Sequence, residues 1–382
     1  MTHPIGFAYV YLFKDLRGIT RYTIDICNIL SLKSNQVSVI CPYRRDRLPR
    51  DFLDKDIRLI YIPHYRYKRL TTVPGFLWVF LTKRFHEVNI SLGFGEAYAA
   101  VIAKRIRKDF RYNVLLHMPY EKDYGLFSKL YERGRRIGLF ESADKMIAVS
   151  HYVKKSIEGM VDIKRTEVFH NGVDLEQYYF DEGLRKKARE ELGIGKEEIV
   201  LLTTSAIEER KNIKNIFPVI RTLLDSGLKI RYLIAGYGST RNLEGLGKEI
   251  KHFGLEREVI YLGEKKYPMS LYNAADIFIL LSQYEAFGIS VIEAAACGLP
   301  CITSDESAFP EIVNKDIGFR VGKDDTEGMV EILRALKDKK DREPYRLTAR
   351  ARVDACFNIQ KNALLFYEAG LKKGGINALE LD

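Results

Sequence analysis

The chain has 382 residues, of which 46% are hydrophobic and 29% are charged, as in an ordinary globular protein of two or three domains. No apolar run approaches the ~20 residues that a membrane-spanning helix needs. The five cysteines have no zinc-binding spacing, and their odd number favours a reducing cytoplasm.

The net charge of +10 is distributed unevenly along the chain. Residues 1–175 hold 30 basic and 18 acidic side chains, whereas the remainder holds 31 and 33. A positive first half favours an anionic partner, such as phospholipid headgroups, a lipid phosphate or nucleic acid. A solvated basic surface explains the excess equally well.

The first half alternates short apolar strands with amphipathic helices. Helices are predicted up to residue 32, over residues 96–108 and from residue 151. Such alternation is typical of a parallel sheet covered by helices on both faces. The first apolar run lacks a preceding basic region and a cleavage site, so it is interpreted as a strand and not as a signal peptide. The predicted strands are residues 5–13, 37–41, 57–62, 88–92, 114–117, 145–149 and 167–169.

A turn cluster at residues 170–174 interrupts this pattern, and a similar alternation then resumes. We therefore expect an N-terminal domain over residues 1–175 and a C-terminal domain over residues 176–356. The amphipathic helix in residues 357–382 is expected to pack back on the N-terminal domain. Two doubly wound domains in tandem would leave a cleft at the carboxyl ends of their strands. The predicted second-half strands are residues 199–204, 230–235, 259–262, 277–281 and 300–303, and the helices are residues 181–192, 212–226, 243–253, 269–274, 289–297, 326–337, 342–356 and 359–371.

The most informative stretch is residues 282–301, which contains a strand end, a glycine turn and a helix start. The first amides of a helix have no partner within the helix, and the helix dipole is positive there, so this arrangement binds anions. Glu285 and Glu293 flank the turn. Amides for phosphate and carboxylates for hydroxyl groups together suit a phosphorylated sugar.

Several motifs of the chain resemble, in order and spacing, those of the family 4 retaining glycosyltransferases with the GT-B fold. That fold has two Rossmann-like, doubly wound parallel-sheet domains facing a central cleft. Each motif is weak alone, but the ordered set is specific. The motifs are Glu285 with Glu293 and Gly298-Leu-Pro300, Asn171-Gly-Val-Asp174, Ala143 to Ser150, Gly236-Tyr-Gly238, Leu271-Tyr272 with Ala275-Asp276, and Gly18 to Tyr22.

The resemblance implies roles for residues of the central stretch. Glu285 matches the glutamate that contacts the donor sugar, and Glu293 matches the one that holds the ribose hydroxyls of the nucleotide. The amides of Phe287, Gly288 and Ile289 match those that bind sugar hydroxyls and phosphate. A helix carboxylate paired with a nearby lysine is the alternative for Glu293.

The resemblance also implies a basic clamp on the donor diphosphate. Lys211 matches the family's phosphate-binding lysine, but the Gly-Arg pair usual upstream is replaced by residues around Thr204. We hypothesise that Arg210 substitutes for the missing arginine; a solvated basic turn is the alternative. Gly18 would let the backbone approach the diphosphate, because a Cβ atom would obstruct it. An ordinary strand-to-helix turn is the alternative there.

One histidine matches the family's histidine that faces the donor sugar from the N-terminal domain. This residue, His117, ends a predicted strand. Its expected work is to position the sugar and to tune charge in the transition state, although a histidine at a strand end is more often structural.

The expected activity is transfer of a hexose from a UDP- or GDP-linked sugar, with retention and without a metal or other cofactor. The acceptor would be a hydroxyl of a glycan, a polysaccharide precursor or a lipid, and no nucleic acid is expected. A GT-B nucleotide-sugar epimerase and a non-catalytic sugar-nucleotide-binding scaffold are the alternatives.

Two further segments bear on metals and membranes. Asp54 and Asp56 superficially resemble an Asp-X-Asp metal motif, but they lie in a charged turn and are interpreted as solvated. Residues 64–84 interleave basic and aromatic side chains, which suits the surface of an anionic membrane. A helix packed on the sheet is the alternative. The expected location is the cytoplasm, with a peripheral position at the cytoplasmic face of the membrane as the more specific alternative.

Overall fold

The computed structural model describes residues 4–8, 19–32, 36–42, 53–62, 72–120, 125–265 and 268–371. The contacts divide the chain into two compact units, Met1–Asn171 with Ile359–Asp382, and Gly172–Asn358. They are called the N-terminal and C-terminal domains below. The expected boundaries, after residues 175 and 356, lie a few residues from these divisions.

Seven parallel strands form the sheet of the N-terminal domain, in the order β3-β2-β1-β4-β5-β6-β7. Its inner strands are buried on both faces, which explains their continuous apolar runs. The elements are β1 (Ile5–Ala8), α1 (Ile19–Leu32), β2 (Val37–Pro42), β3 (Arg58–Ile62), α2 (Thr72–Thr82), β4 (Glu87–Ile90), α3 (Phe94–Ile106), β5 (Tyr112–Leu116), α4 (Gly125–Arg136), α5 (Leu139–Ser142), β6 (Lys145–Ala148), α6 (His151–Ser156) and β7 (Thr166–Val168).

Six parallel strands form the sheet of the C-terminal domain, in the order β10-β9-β8-β11-β12-β13. The elements are α7 (Glu182–Glu191), β8 (Ile199–Thr204), α8 (Phe217–Asp225), β9 (Ile230–Ala235), α9 (Thr240–His252), β10 (Val259–Tyr261), α10 (Met269–Ala274), β11 (Ile277–Leu280), α11 (Ile289–Ala296), β12 (Cys301–Ser304), α12 (Phe309–Ile312), β13 (Gly318–Val321), α13 (Thr326–Ala335), α14 (Lys339–Arg342) and α15 (Tyr345–Cys356).

The last described helix, α16 (Ile359–Leu371), belongs to the N-terminal domain. Phe366 stacks on Phe7 of β1 with ring centroids 6.2 Å apart, and it meets Phe169 edge-on at 5.8 Å. The side-chain amide of Asn362 donates to the carbonyl of His170 at 3.1 Å. The chain therefore returns from the C-terminal domain to complete the core of the N-terminal one.

Both sheets are doubly wound, as the sequence predicts. In each, the strand order reverses at one point, between β1 and β4 and between β8 and β11. Ligands of such sheets bind beyond the carboxyl ends of the strands at these switch points. A ligand site is therefore expected at the segments that follow β8 and β11.

Some of the architecture was not predicted. The helices α4 and α5 and the edge strand β13 are absent from the elements predicted from the sequence. In α2, Phe76 and Phe80 are fully buried, so this face of the helix packs on the domain, as in the alternative to a membrane-binding surface. On the other face, Trp78 is 58% exposed. Gly18 and residues 63–71 lie outside the described residues.

Candidate active site

A buried ion pair lies where the two central strands of the C-terminal sheet end. Lys211 ends the short 3-10 helix that follows β8, and its amino group donates to Oε1 of Glu285, which follows β11. The two side chains are only 8% and 17% exposed. Ser282 Oγ donates to the same carboxylate oxygen at 3.2 Å. The switch point of the sheet therefore brings together two residues that the sequence analysis selected.

A polar segment after β12 holds the backbone of Glu285. The Glu285 amide donates to Ser307 Oγ at 3.0 Å, and the Ala308 amide donates to the Glu285 carbonyl at 3.3 Å. Ser307 has a φ of +59°, a left-handed conformation that is uncommon outside glycine. Sequence reasoning missed Ser307. The available signal was the polar run directly after a buried strand, at the same edge of the sheet.

Arg210 lies beside the same turn, but its guanidinium has other partners. Its Nε donates to Glu208 at 2.8 Å, and one terminal nitrogen donates to the Tyr284 carbonyl at 3.1 Å. The Gln283 amide in turn donates to the Arg210 carbonyl at 2.8 Å. The loops after β8 and β11 are thereby tied together, with Arg210 on the more exposed side and Lys211 on the buried side.

The helix α11 begins directly after this turn. Gly288 occupies its N-cap with a φ of +111° and offers no side-chain acceptor to the first amides of the helix, although its carbonyl accepts from the Val291 amide at 3.0 Å. A Cβ atom at this position would lie 3.1 Å from the ring of Phe309. The side chain of Phe287 is buried against Phe357, which fixes the entry into the helix. The amides of Phe287, Gly288 and Ile289 therefore come at the amino end of α11, where an anion is favoured.

Glu293 lies one turn further along α11 and is half-buried. The hydroxyl of Tyr272, which has no exposed surface, donates to Glu293 Oε2 at 2.6 Å and lies 2.7 Å from Thr204 Oγ1. Burial and the neighbouring carboxylate of Glu293 raise the pKa of Tyr272 well above its usual value, so the hydroxyl remains a hydrogen-bond donor. The sequence analysis did not identify Tyr272 as the residue that orients Glu293.

His117 lies in the N-terminal domain, directly after β5, and is 8% exposed. Burial lowers its pKa from 6.5 to about 4, so the imidazole is neutral at pH 7. The ring of Tyr22 in α1 meets it edge-on, with centroids 6.1 Å apart. A neutral imidazole in this setting is suited to hydrogen bonding and not to carrying a charge.

The candidate metal motif and the candidate membrane segment lie outside this site. In the metal motif, Asp54 accepts a hydrogen bond from the amide of Asp56 at 2.9 Å, which is a local turn contact on the surface. Across the part of the chain that the structure describes, no helix is both long and apolar enough to cross a bilayer.

Two family models match nearly the whole length of the chain. The description "Glycosyltransferase Family 4" matches residues 16–177, and "Glycosyl transferases group 1" matches residues 185–352. The second match contains the Lys211–Glu285 pair and Glu293, and the first contains His117.

Curated relatives carry glycosyltransferase names. The N-acetyl-alpha-D-glucosaminyl L-malate synthase of Bacillus anthracis is 30% identical over 216 residues, which is 55% of this chain and 54% of that protein. An Escherichia coli UDP-Gal:alpha-D-GlcNAc-diphosphoundecaprenol alpha-1,3-galactosyltransferase is 22% identical over 380 residues, 94% of this chain and 95% of the relative. For the first relatives, the chain spans about half of their length.

Solved structures extend the likeness to the entire fold. A glycosyltransferase from Rickettsia africae superposes with a TM-score of 0.81 at 18% identity, covering 98% of this chain and all of that one. Anabaena HepE, solved with UDP and glucose, gives 0.80 at 18% identity, with 96% and 98% covered. At these identities the likeness concerns the fold alone, and it confirms the predicted GT-B class.

Proposed function

The chain belongs to the family 4, group 1 glycosyltransferases, and from this premise we propose that it is a retaining, metal-independent hexosyltransferase. The donor is a UDP- or GDP-linked hexose, and the acceptor is a hydroxyl of a glycan, a polysaccharide precursor or a lipid. One observation carries the proposal: the buried Lys211–Glu285 pair lies at the switch point just before the amino end of α11, with Glu293 one turn beyond.

The charges of this site match the parts of a nucleotide sugar. The amino group of Lys211 and the first amides of α11 bind the diphosphate, and Arg210 adds a second cation from the exposed side. Glu285 holds Lys211 in place before the donor arrives and then accepts hydrogen bonds from the sugar. Glu293, oriented by Tyr272, accepts from the ribose hydroxyls.

The chemistry follows from where negative charge develops. The bond between the sugar C1 and the diphosphate breaks, and the acceptor oxygen forms its bond to C1 on the same face. The departing phosphate takes the acceptor's proton. Lys211 and the amides of α11 stabilise the charge on the leaving group, and for this reason we assign the work to protein groups and not to a metal ion.

His117 contributes a neutral hydrogen-bonding group to the donor sugar. Because its pKa is lowered to about 4, it stays uncharged over the physiological range. It therefore orients a sugar hydroxyl without attracting the diphosphate away from Lys211.

The relatives' names support the classes of donor and acceptor. The Escherichia coli relative that spans nearly the whole chain is named for UDP-Gal and a diphosphoundecaprenol acceptor, and a Rhizobium meliloti relative is named a mannosyltransferase. A lipid-linked acceptor agrees with the basic N-terminal half. The exposed Trp78, with Lys83 5.7 Å from its ring, suits a peripheral position at the cytoplasmic face.

A panel of UDP- and GDP-sugars tests the donor proposal. The true donor should raise the unfolding temperature by mass action, with EDTA present. Incubation with a glycan and lipid-linked acceptor panel should then release the nucleoside diphosphate, and proton NMR of the product should show the anomeric configuration of the donor. An inverted product, or turnover that EDTA abolishes, would overturn the retaining or the metal-independent part.

Control reactions separate the alternatives. Conversion of the donor's sugar without any acceptor would identify an epimerase. Donor binding without transfer, unchanged by Glu293→Ala, would identify a scaffold. Flotation with liposomes of neutral or anionic lipid tests the membrane position, which salt-insensitive or absent binding would contradict.

A further inference from the structure

A second charged cavity lies in the C-terminal domain, at the amino ends of the central strands, whereas Lys211 lies beyond their carboxyl ends. It has a volume of about 320 Å³ and is lined at its base by Ile199, Asp276 and Pro300, which lie at or next to the amino ends of β8, β11 and β12. The donor site described above lies at the carboxyl ends of these strands. The two sites are therefore separated by the length of the strands.

The lining of this cavity carries an excess of positive charge. Seven basic and five acidic side chains border it. Two of the acids are already neutralised: Asp276 accepts from Arg185 at 2.7 Å and from Arg189 at 3.1 Å, and Glu198 pairs at 2.7 Å with Arg231, which does not line the cavity. The remaining basic groups outnumber the carboxylates left to pair with them.

Arg342 is one cation with unused hydrogen-bonding capacity. One terminal nitrogen donates to the carbonyls of Leu336 and Lys337. The other, Nη2, forms a long ion pair with Asp276 Oδ1 at 3.6 Å, and it makes no hydrogen bond to an acceptor among the described residues. Burial lowers the pKa of Arg342, Asp276 opposes this shift, and the adjacent Arg185 and Arg189 act in the same direction as burial because like charges are crowded there.

Arg346 is the second such cation. Its guanidinium lies 3.5 Å from the ring centroid of Phe180, and no hydrogen bond or ion pair joins it to a residue within the described ranges. Burial lowers the pKa of Arg346, and the charge of Arg185 contributes in the same direction, while the carboxylates of Glu182 and Glu343 oppose the shift. A guanidinium fixed on an aromatic face keeps its edge available for a planar or tetrahedral oxyanion.

We propose that this cavity binds the phosphate group of a small soluble metabolite, with Arg342 and Arg346 as its principal ligands. Arginine forks bind phosphate oxygens through paired, charge-assisted hydrogen bonds. The exposed Lys337 and Lys339 add charge at the rim. The volume falls at the lower end of the range for ligand pockets, which fits a diphosphate or a sugar phosphate.

The helix α11 connects this cavity to the donor site without merging the two. Gly288 caps the end at which we propose donor binding, whereas Cys297 and Gly298, at the other end, line the cavity. Gly298 has a φ of +76°, and a Cβ atom there would lie 2.7 Å from the Cα of Arg346. The phosphate site therefore depends on a close backbone approach at the carboxyl end of the signature helix, and it does not rest on the proposed transferase activity.

Titration calorimetry with inorganic pyrophosphate tests the proposal. The full chain carrying Lys211→Ala serves as the background, because that change removes the proposed donor clamp, and sodium chloride keeps the ionic strength constant. We expect saturable 1:1 binding that Arg342→Gln with Arg346→Gln weakens by about 10- to 100-fold, as loss of charge-assisted hydrogen bonds predicts. The matched control, Lys248→Gln with Lys251→Gln on the exposed face of α9, removes the same charge and should leave the affinity unchanged.

Three outcomes would overturn the proposal: no saturable binding to the Lys211→Ala background, equal affinity in the arginine variant, or an equal loss in the α9 control. A second variant guards against misfolding. Lys337→Gln with Lys339→Gln changes only exposed side chains. We expect it to weaken pyrophosphate binding by about threefold, because charges exposed to solvent contribute only modestly. Unchanged affinity in this variant, when the arginine variant does not unfold cooperatively, would also contradict the site.

Discussion

The two domains share a doubly wound topology but place different chemistry at the carboxyl ends of their central strands. In the C-terminal domain, Lys211 and Glu285 form an ion pair, and Glu293 is held by a tyrosine hydroxyl. In the N-terminal domain, His117 is buried beside Tyr22 and kept neutral. The ion-paired residues therefore lie in one domain, whereas the histidine at the corresponding place in the other is uncharged; under the proposed function, the first would meet the charge of the donor and the second would offer it a neutral hydrogen-bonding group.

The largest effect should come from removing the cation of the buried pair. Lys211→Ala leaves the Glu285 carboxylate without its ammonium partner and removes the proposed phosphate ligand, so kcat/KM should fall by roughly 100- to 1,000-fold. Lys211→Arg keeps the charge and should recover part of the loss. Steady-state kinetics with the identified donor measure both. A Lys211→Ala enzyme within threefold of wild type would contradict the assignment of charge to this site.

Glu293 should have the next largest effect, and Tyr272 a smaller one. Glu293→Gln weakens the hydrogen bonds to the ribose, so we expect donor affinity to fall by about 30- to 100-fold. Tyr272→Phe releases the Glu293 carboxylate and loses the contact with Thr204, and we expect donor affinity to fall by about fivefold. Calorimetry with the nucleoside diphosphate measures both. If Tyr272→Phe cost as much as Glu293→Gln, the tyrosine would do more than orient the carboxylate.

The neutral state of His117 predicts a specific pH dependence of stability. Its folded pKa of about 4 lies below the ordinary 6.5, so the unfolded chain binds the proton more readily. The free energy of unfolding is therefore unaffected above pH 6.5 and declines as the pH falls toward 4, by about 2 kcal/mol at pH 5. Urea unfolding of wild type and His117→Gln across this window checks it, since the variant should show a shallower decline. Parallel curves would mean that His117 is not kept neutral by burial.

Arg210 should contribute less than Lys211 to binding of the donor diphosphate. If it replaces the upstream arginine that the family usually has, Arg210→Ala should weaken the nucleoside diphosphate by about tenfold, less than Lys211→Ala does. Its bond to the Tyr284 carbonyl supports a position near the turn, while its pairing with Glu208 argues for a smaller contribution. Unchanged affinity in Arg210→Ala, with a large loss in Lys211→Ala, would show that Lys211 acts without it.

The smallest expected effect concerns Ser307, which supports Glu285 from outside the predicted site. Ser307→Gly removes the hydroxyl that accepts from the Glu285 amide but suits the φ of +59°, whereas Ser307→Ala loses the bond and keeps the strain. Donor KM should rise about twofold in the first and about fivefold in the second. An equal effect of both variants would mean that the left-handed backbone contributes nothing to the turn.

The sequence predicts much of this molecule because its signals are local. Strand and helix alternation is written in short apolar runs, and the spacing of Glu285, Gly288 and Glu293 lies within one strand–turn–helix unit. Contacts between distant segments leave no such signal. Tyr272 reaches Glu293 from another helix, and Ser307 reaches Glu285 from the next strand's loop.

The proposed phosphate cavity likewise depends on contacts between segments that are distant in the sequence. Its arginines come from α7, α14 and α15, and only folding brings them around Asp276. In the sequence these arginines cannot be distinguished from solvent-exposed helix residues, because each has other charged residues close to it along the chain. That the basic side chains around the cavity outnumber the carboxylates becomes evident only from the ion pairs and distances in the structure.

The most direct test of the central claim is calorimetric titration of UDP and GDP into the full chain and its Lys211→Ala variant, with EDTA present. We predict that one of the two nucleotides binds the wild-type chain at a single site without a divalent cation, and that the variant binds it at least tenfold more weakly. Equal binding to both proteins, or binding only after a divalent cation is added, would contradict a metal-independent diphosphate clamp built on Lys211.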